Sequence, residues 1–451
     1  METFVIHAPD MAAVWQQLAA VHATSMLSQE SLRTLLTNVG FFLALFVPVG
    51  NAMALAAAAV DDGRHSFYMT NLNTAHNIEP TLSMCMAIAV VSLAMVLVGA
   101  IVPVLDDESL LFYVSTGLVL ASVLHSTLHL QLPSSVFVVL LITTVGVVYP
   151  AAAVVAWSSN GWFNPLSSNA LFDQGAIDMG GTGVVHITLG SVVLAAMLLL
   201  PDALQTVQSL PVHDHLDVTS TVLVGVGWLG LLMGHTAAAL SASTAGLATL
   251  ARSLGHAVIG ATGGALVGVL AAVFLPAPAA SSCAMAGYVA VAGAAGLVEP
   301  IVALFLGGAG ASVYLATAKG VVNLQRLRVP SCYSDAVAIH LGVGAFGTIV
   351  GGLCAVPARY ETAYALRHWG GYGRQLGLNL LYALVAVAWA TVVTTLVLLP
   401  VRHVRHQADA AGYTEMDEFK YASDTPRGDI YDVSSPTKSV TFYRSPSSDW
   451  V

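Results

Sequence analysis

"IDMGGTGVVHITLGSVVLAAMLLL", residues 177–200, is the stretch whose reading decides the fold. From Gly181 onward it is apolar over a length close to the roughly 20 residues a helix needs to cross hydrocarbon. Yet it opens on a carboxylate, Asp178, and carries an imidazole, His186, one to two turns deeper. An ionisable side chain inside a membrane helix costs a few kcal/mol on insertion scales, so it is a functional candidate by default. Asp178, at the helix start, can accept backbone N–H bonds and sits at the favourable end of the helix dipole. The glycines allow a neighbouring helix to approach closely.

The rest of the chain has the same character. Of its 451 residues 56% are hydrophobic and 9% charged, where a soluble domain carries about 25% charged. The chain therefore reads as an all-α polytopic membrane protein whose solvent is the lipid bilayer. Apolar stretches at 35–60, 81–104, 109–128, 135–157, 181–200, 219–240, 245–275, 283–298, 300–320, 335–355 and 376–400 give about eleven transmembrane helices. An odd number puts the termini on opposite sides. Lys319, Arg326, Arg328, Arg402, Arg405 and Arg64 fall on one side of this arrangement, and Arg33, Arg359, Arg367 and Arg374 on the other. That bias places the N-terminus outside and the C-terminus in the cytoplasm.

Residues 1–34 form an N-terminal external segment with no cleavable signal peptide. The transmembrane domain covers 35–400, a polar cytoplasmic segment 401–421, and a disordered tail 422–451 rich in Ser, Thr, Asp and Pro. Thr425-Pro426, Ser435-Pro436 and Ser445-Pro446 are candidate phosphorylation sites for a cytoplasmic regulator or kinase. Fifteen Lys plus Arg with no dense basic run exclude a nucleic-acid binder. Cys85, Cys283, Cys332 and Cys354 are scattered and read as reduced thiols. No metal or cofactor motif is present. Trp162 and Phe163, beyond the fourth span, read as interface anchors.

A second stretch repeats the opening pattern. In "SDAVAIHLGVGAFGT", residues 334–348, Asp335 precedes His340, and glycines follow at 342, 344 and 347. The two patterns occupy the fifth and tenth spans. That spacing fits an inverted repeat of five plus five helices with one further C-terminal helix, and it brings the histidines together near the midplane. The other ionisable residues in the spans are His125, His235, Arg252, His256 and Glu299.

At these residues the chain resembles the ammonium transporter family. "IDMGGTGVVHITLG" is similar to the family's Asp-x-x-Gly-Gly-x-x-Val-His segment, with Thr182 in place of a second glycine. "DAVAIHLGVGAFGT" is similar to its second histidine segment. "GVGWLGLLMGHTAAAL" resembles its sixth-helix stretch and "VVYPAAAVVAW" its fourth-helix stretch. The resemblance covers roughly 35–421 and is strongest over 145–355.

It implies a homotrimer of eleven-helix subunits, each with a narrow pore, in the plasma membrane. His186 and His340 would be the twin histidines of the pore and relay a proton. Trp157 and Asp178 would belong to an outer recruitment site and vestibule. Leu231 stands where the family has a gating phenylalanine, and His235 where it has a serine. Phe112 is the candidate upper gate, Asp335 a structural residue of the second motif, and 401–421 a regulatory segment. The implied activity is ammonium transport, with methylammonium as an analogue and no covalent chemistry. Two other readings stay open: an ammonium sensor with little flux, and a channel for neutral ammonia or carbon dioxide of Rh type. The physics favours this chemistry. An apolar constriction penalises every bare cation, whereas ammonium can give up its proton and pass as ammonia.

Overall fold

The computed structural model describes residues 11–60, 107–128, 132, 134–200, 214–239, 244–274, 280–323, 335–364 and 367–410. The expected span 81–104, Cys85, Cys332, residues 411–421 of the polar segment and the tail lie outside them. Among the described residues there are helices and no strands. The chain divides into units of Met1–Arg402 and His403–Val451. The described part of the second, 403–410, is helical.

In chain order the helices are α1 (Met11–Ala44), α2 (Phe46–Val60), α3 (Asp107–Leu128), α4 (Ser134–Thr143), α5 (Tyr149–Trp157), α6 (Thr188–Leu199), α7 (Asp214–Ala239), α8 (Thr244–Ala272), α9 (Ala280–Ala292), α10 (Pro300–Asn323), α11 (Gly344–Leu353), α12 (Pro357–Ala363) and α13 (Tyr372–Ala410). Three short π-helical turns interrupt the series. Thr144–Val148 joins α4 to α5, Thr182–Ile187 leads into α6, and Val337–Val343 leads into α11. Seven helical stretches among the described residues are long and apolar enough to cross a membrane, or eight if the bent pair Val337–Leu353 and Pro357–Ala363 is one span. Tyr113–Leu128 and Ala280–Ala292 are shorter apolar helices.

Two boundaries differ from expectation. The first helix starts at Met11, inside what reads as an external segment, because residues 11–39 contain neither Gly nor Pro and are rich in Ala, Leu, Gln and Met. The last helix runs on through Pro400 to Ala410.

The core sits around the two histidine-bearing stretches. Thr182–Leu200 is buried almost throughout, while α13 and α8 expose Leu384, Val392, Leu396, Leu266 and Leu270. A chain that buries its polar centre and exposes leucine and valine is built for lipid.

Candidate functional site

The first histidine segment is shaped from Gly181. This glycine takes the left-handed conformation, φ 78° and ψ 28°, which costs glycine little. Its carbonyl accepts the N–H of Val185 at 2.9 Å and of His186 at 3.1 Å. Asp178 folds back over the turn and spends its carboxylate there. Oδ1 accepts from the Thr182 hydroxyl at 2.9 Å; Oδ2 accepts from Gly183 N at 3.0 Å, Val184 N at 3.2 Å and the Tyr382 hydroxyl at 2.6 Å. The acid thus holds the entrance of the turn in shape, as its place at a helix start suggested.

The last helix secures the same segment. Gln375, Asn379 and Tyr382 lie at i, i+4 and i+7, on one face of α13. Gln375 bonds Gln174 and Asn379; Asn379 accepts from Ile177 N at 3.1 Å and donates to Thr348 O at 2.6 Å. Thr348 in turn donates to Thr182 Oγ1 at 2.9 Å. This network ties together the two segments that carry the histidines. Gln375, Asn379 and Tyr382 did not figure in the sequence reading, although three polar side chains at helical spacing in an apolar span were a legible signal.

The histidines meet. His186 Nδ1 lies 2.8 Å from His340 Nδ1, with the rings nearly parallel at 11° and centroids 5.0 Å apart. One nitrogen donates and the other accepts. His186 is fully buried and His340 nearly so. Each stands in a π-helical turn, a feature that gathers at functional sites. The crossing depends on a glycine four residues beyond each histidine. A Cβ on Gly190 would come 2.3 Å from Leu341 N, and one on Gly344 would come 3.1 Å from His186 Cβ. His186 Nε2 is buried and finds no hydrogen-bond partner among the described residues. The Trp228 ring stacks on His186 at 4.8 Å and stands 6.2 Å from His340.

The other expected residues fall in three places. Trp157, Asp178 and His235 come together: the Trp157 indole donates to Asp178 O at 3.0 Å and faces the His235 ring at 4.5 Å. Leu231 is buried on the same helix as His235. Asp335, half-buried, accepts from the Tyr314 hydroxyl at 2.9 Å and is not part of the histidine pair's contacts. Phe112 is on α3, but its side chain lies outside the described residues.

Phe163 corrects an expectation. It is buried at 3% exposure against Tyr382, with centroids 5.0 Å apart, because the loop after α5 turns back over α13; Trp162 is exposed at 62%. Arg252 is also accounted for: its guanidinium donates to Gly296 O and Thr249 Oγ1. Nearby, Glu299 pairs with Arg359 at 2.8 Å, and His256 Nδ1 meets Ala295 O at 2.7 Å. These groups brace the turn between α9 and α10. His125 is buried edge-on to Phe137. Cys283 and Cys354 are free thiols. Among the described residues no cluster of His, Cys, Asp or Glu has the makings of a metal site.

A family model described as Ammonium Transporter Family matches residues 34–425. The chain is 28% identical over 348 residues to ammonium transporter 1 member 3 of Solanum lycopersicum, a match covering 66% of this chain and 69% of that protein. It spans about half the length of other curated relatives that it matches. The structure is similar to Candida albicans Mep2, with TM-score 0.61 and 19% identity over 88% of this chain and 92% of that one. It is also similar to a sensor Amt protein, with TM-score 0.64 and 16% identity over 83% and 94%. At these identities the likeness is one of fold.

Proposed function

This chain belongs to the ammonium transporter family, and from that premise we propose that it carries ammonium across a membrane through a pore centred on His186 and His340. The observation that carries the reading is the buried pair at 2.8 Å, placed where two glycine-assisted helices cross. Ammonium arrives at the Trp157 end, where an indole face offers a favourable surface to a cation. It gives up a proton there, since a bare cation entering the apolar stretch around Leu231 is heavily penalised. Neutral ammonia then reaches the imidazoles. Their nitrogens give it polar partners in an otherwise apolar passage, and a proton held between them can pass from ring to ring.

The likeness to the sensor protein, at 16% identity, does not favour a sensing role. Methylammonium is the expected analogue. We assign the chain a homotrimeric assembly, a plasma-membrane location with the N-terminus outside and the C-terminus cytoplasmic, and a regulatory role for 401–421. The supports are the family, the charge bias of the loops and the continuation of α13 beyond Pro400. No covalent chemistry is assigned.

The experiment is uptake of isotope-labelled ammonium by liposomes containing the full chain. Saturable entry faster than into protein-free liposomes supports transport. Specific binding without entry supports the sensor reading instead.

A further inference from the structure

His235 is a buried imidazole that the proposed function leaves unused. Trp228, Leu231 and His235 stand at i, i+3 and i+7 on α7, one helical face. At one end of that face Trp228 stacks on His186. At the other end His235, 1% exposed, is enclosed on three sides. Trp157 lies 4.5 Å from its ring, and Thr116 Oγ1 lies 2.9 Å from its Nε2. Its remaining edge abuts Gly181, where a Cβ would come within 3.3 Å of Cε1 and Nδ1. Gly181 is the residue whose carbonyl receives the N–H of His186. An imidazole therefore stands on the approach from Trp157 to the histidine pair, set apart from it along α7 by Leu231 and Trp228.

The surroundings suit a ring that changes its protonation. The Thr116 hydroxyl both donates and accepts, so Nε2 keeps a hydrogen bond in either state. The face of Trp157 stabilises a cation on either partner, the incoming ammonium or the imidazolium. The ionisable groups around His235 are few. The segment before Gly181 contributes Asp178, whose carboxylate is already held by four donors. The π-turn contributes His186, and Tyr149 lies behind Thr116.

We propose that His235 is the proton acceptor for incoming ammonium, on the Trp157 side of the constriction. The step rests on the reading of the chain as an ammonium carrier. One N–H bond of ammonium breaks, its electron pair stays on the ammonia nitrogen, and a new N–H bond forms on the imidazole. Ammonia moves on past Leu231 and Trp228 to His186 and His340. The proton leaves His235 to water at the Trp157 mouth, because apolar and aromatic side chains separate it from the histidine pair.

The test compares the full chain in liposomes with His235→Gln and Thr116→Val. Glutamine keeps a hydrogen-bonding side chain but takes up no proton. Entry of labelled ammonium is followed at constant ammonium while the outside pH is varied. The parent loses entry as the outside is acidified, because a protonated His235 neither accepts a proton nor tolerates a second cation. His235→Gln falls by about 100-fold, the lower end of general-base contributions, and loses this pH dependence. Thr116→Val shifts the pH profile without abolishing entry. A parental rate and profile in His235→Gln overturns the proposal. Should that variant fail to fold, a parental profile in Thr116→Val overturns it alone. A parent that moves no ammonium at all overturns the transport reading beneath it, and is recognised by that.

Discussion

Gly190→Ala tests the crossing on which the histidine pair depends. The added Cβ would stand 2.3 Å from Leu341 N and 2.7 Å from Leu341 Cβ. Carbon contacts relax at about 3.5–4.0 Å, and the obstacle is backbone, so the two segments must part by about 1 Å. Carried to the rings, that stretches the 2.8 Å contact between His186 and His340 beyond hydrogen-bonding range. A buried nitrogen left unpaired costs about 1–3 kcal/mol. We expect a lower unfolding temperature in detergent and roughly tenfold slower ammonium entry. Gly344→Ala should be milder, because its Cβ meets His186 Cβ at 3.1 Å and Thr182 O at 3.3 Å, distances that small adjustments relieve. Gly225→Ala is the control: nothing lies within 4 Å of its Cβ, and alanine gains about 0.5–1 kcal/mol of helix preference. Equal stability and equal entry in Gly190→Ala and Gly225→Ala would refute the reasoning.

Three further outcomes are expected. His186→Ala and His340→Ala should each slow ammonium entry or admit potassium, and the double variant should be less impaired than the sum, since either change breaks the same contact; strict additivity in flux assays argues against a coupled pair. Asp178→Ala leaves two backbone N–H groups and two hydroxyls without their acceptor, at about 1–3 kcal/mol each, so thermal unfolding should show a severe loss, while Tyr382→Phe removes one of those donors and should cost a fraction of it. Truncation after Pro400 should change ammonium uptake more than truncation after Ala422, at matched surface expression; equal effects remove the regulatory role from 401–421.

Much of the site was legible because its logic is local. Asp178, Gly181 and His186 lie within a single turn region, and hydropathy alone marks them as out of place. Asp335 and His340 repeat the pattern five spans later, which pointed to a meeting of the rings. What the sequence did not disclose is long-range or conformational. The π-helical turns under both histidines have no residue signature. Tyr382 and Asn379 reach Asp178 and Ile177 across some 200 positions. Trp228 belongs to the stretch that resembles the family's sixth helix, but its stacking on His186 joins residues 42 positions apart and leaves no local trace. The sequence reading assigned residues 11–34 no helix, although helix preference there is continuous. Phe163 was misplaced because a residue just past a span reads as interfacial unless the loop's return is known.

The central claim is that the His186–His340 pair lies in the path of ammonium. The direct measurement is entry of labelled ammonium into liposomes, in excess potassium, for the parent and for a His186→Ala, His340→Ala double variant at matched incorporation. The account predicts saturable entry by the parent that potassium does not suppress, and slowed entry or lost discrimination against potassium in the variant. Parent and variant with the same rate and the same selectivity would contradict it.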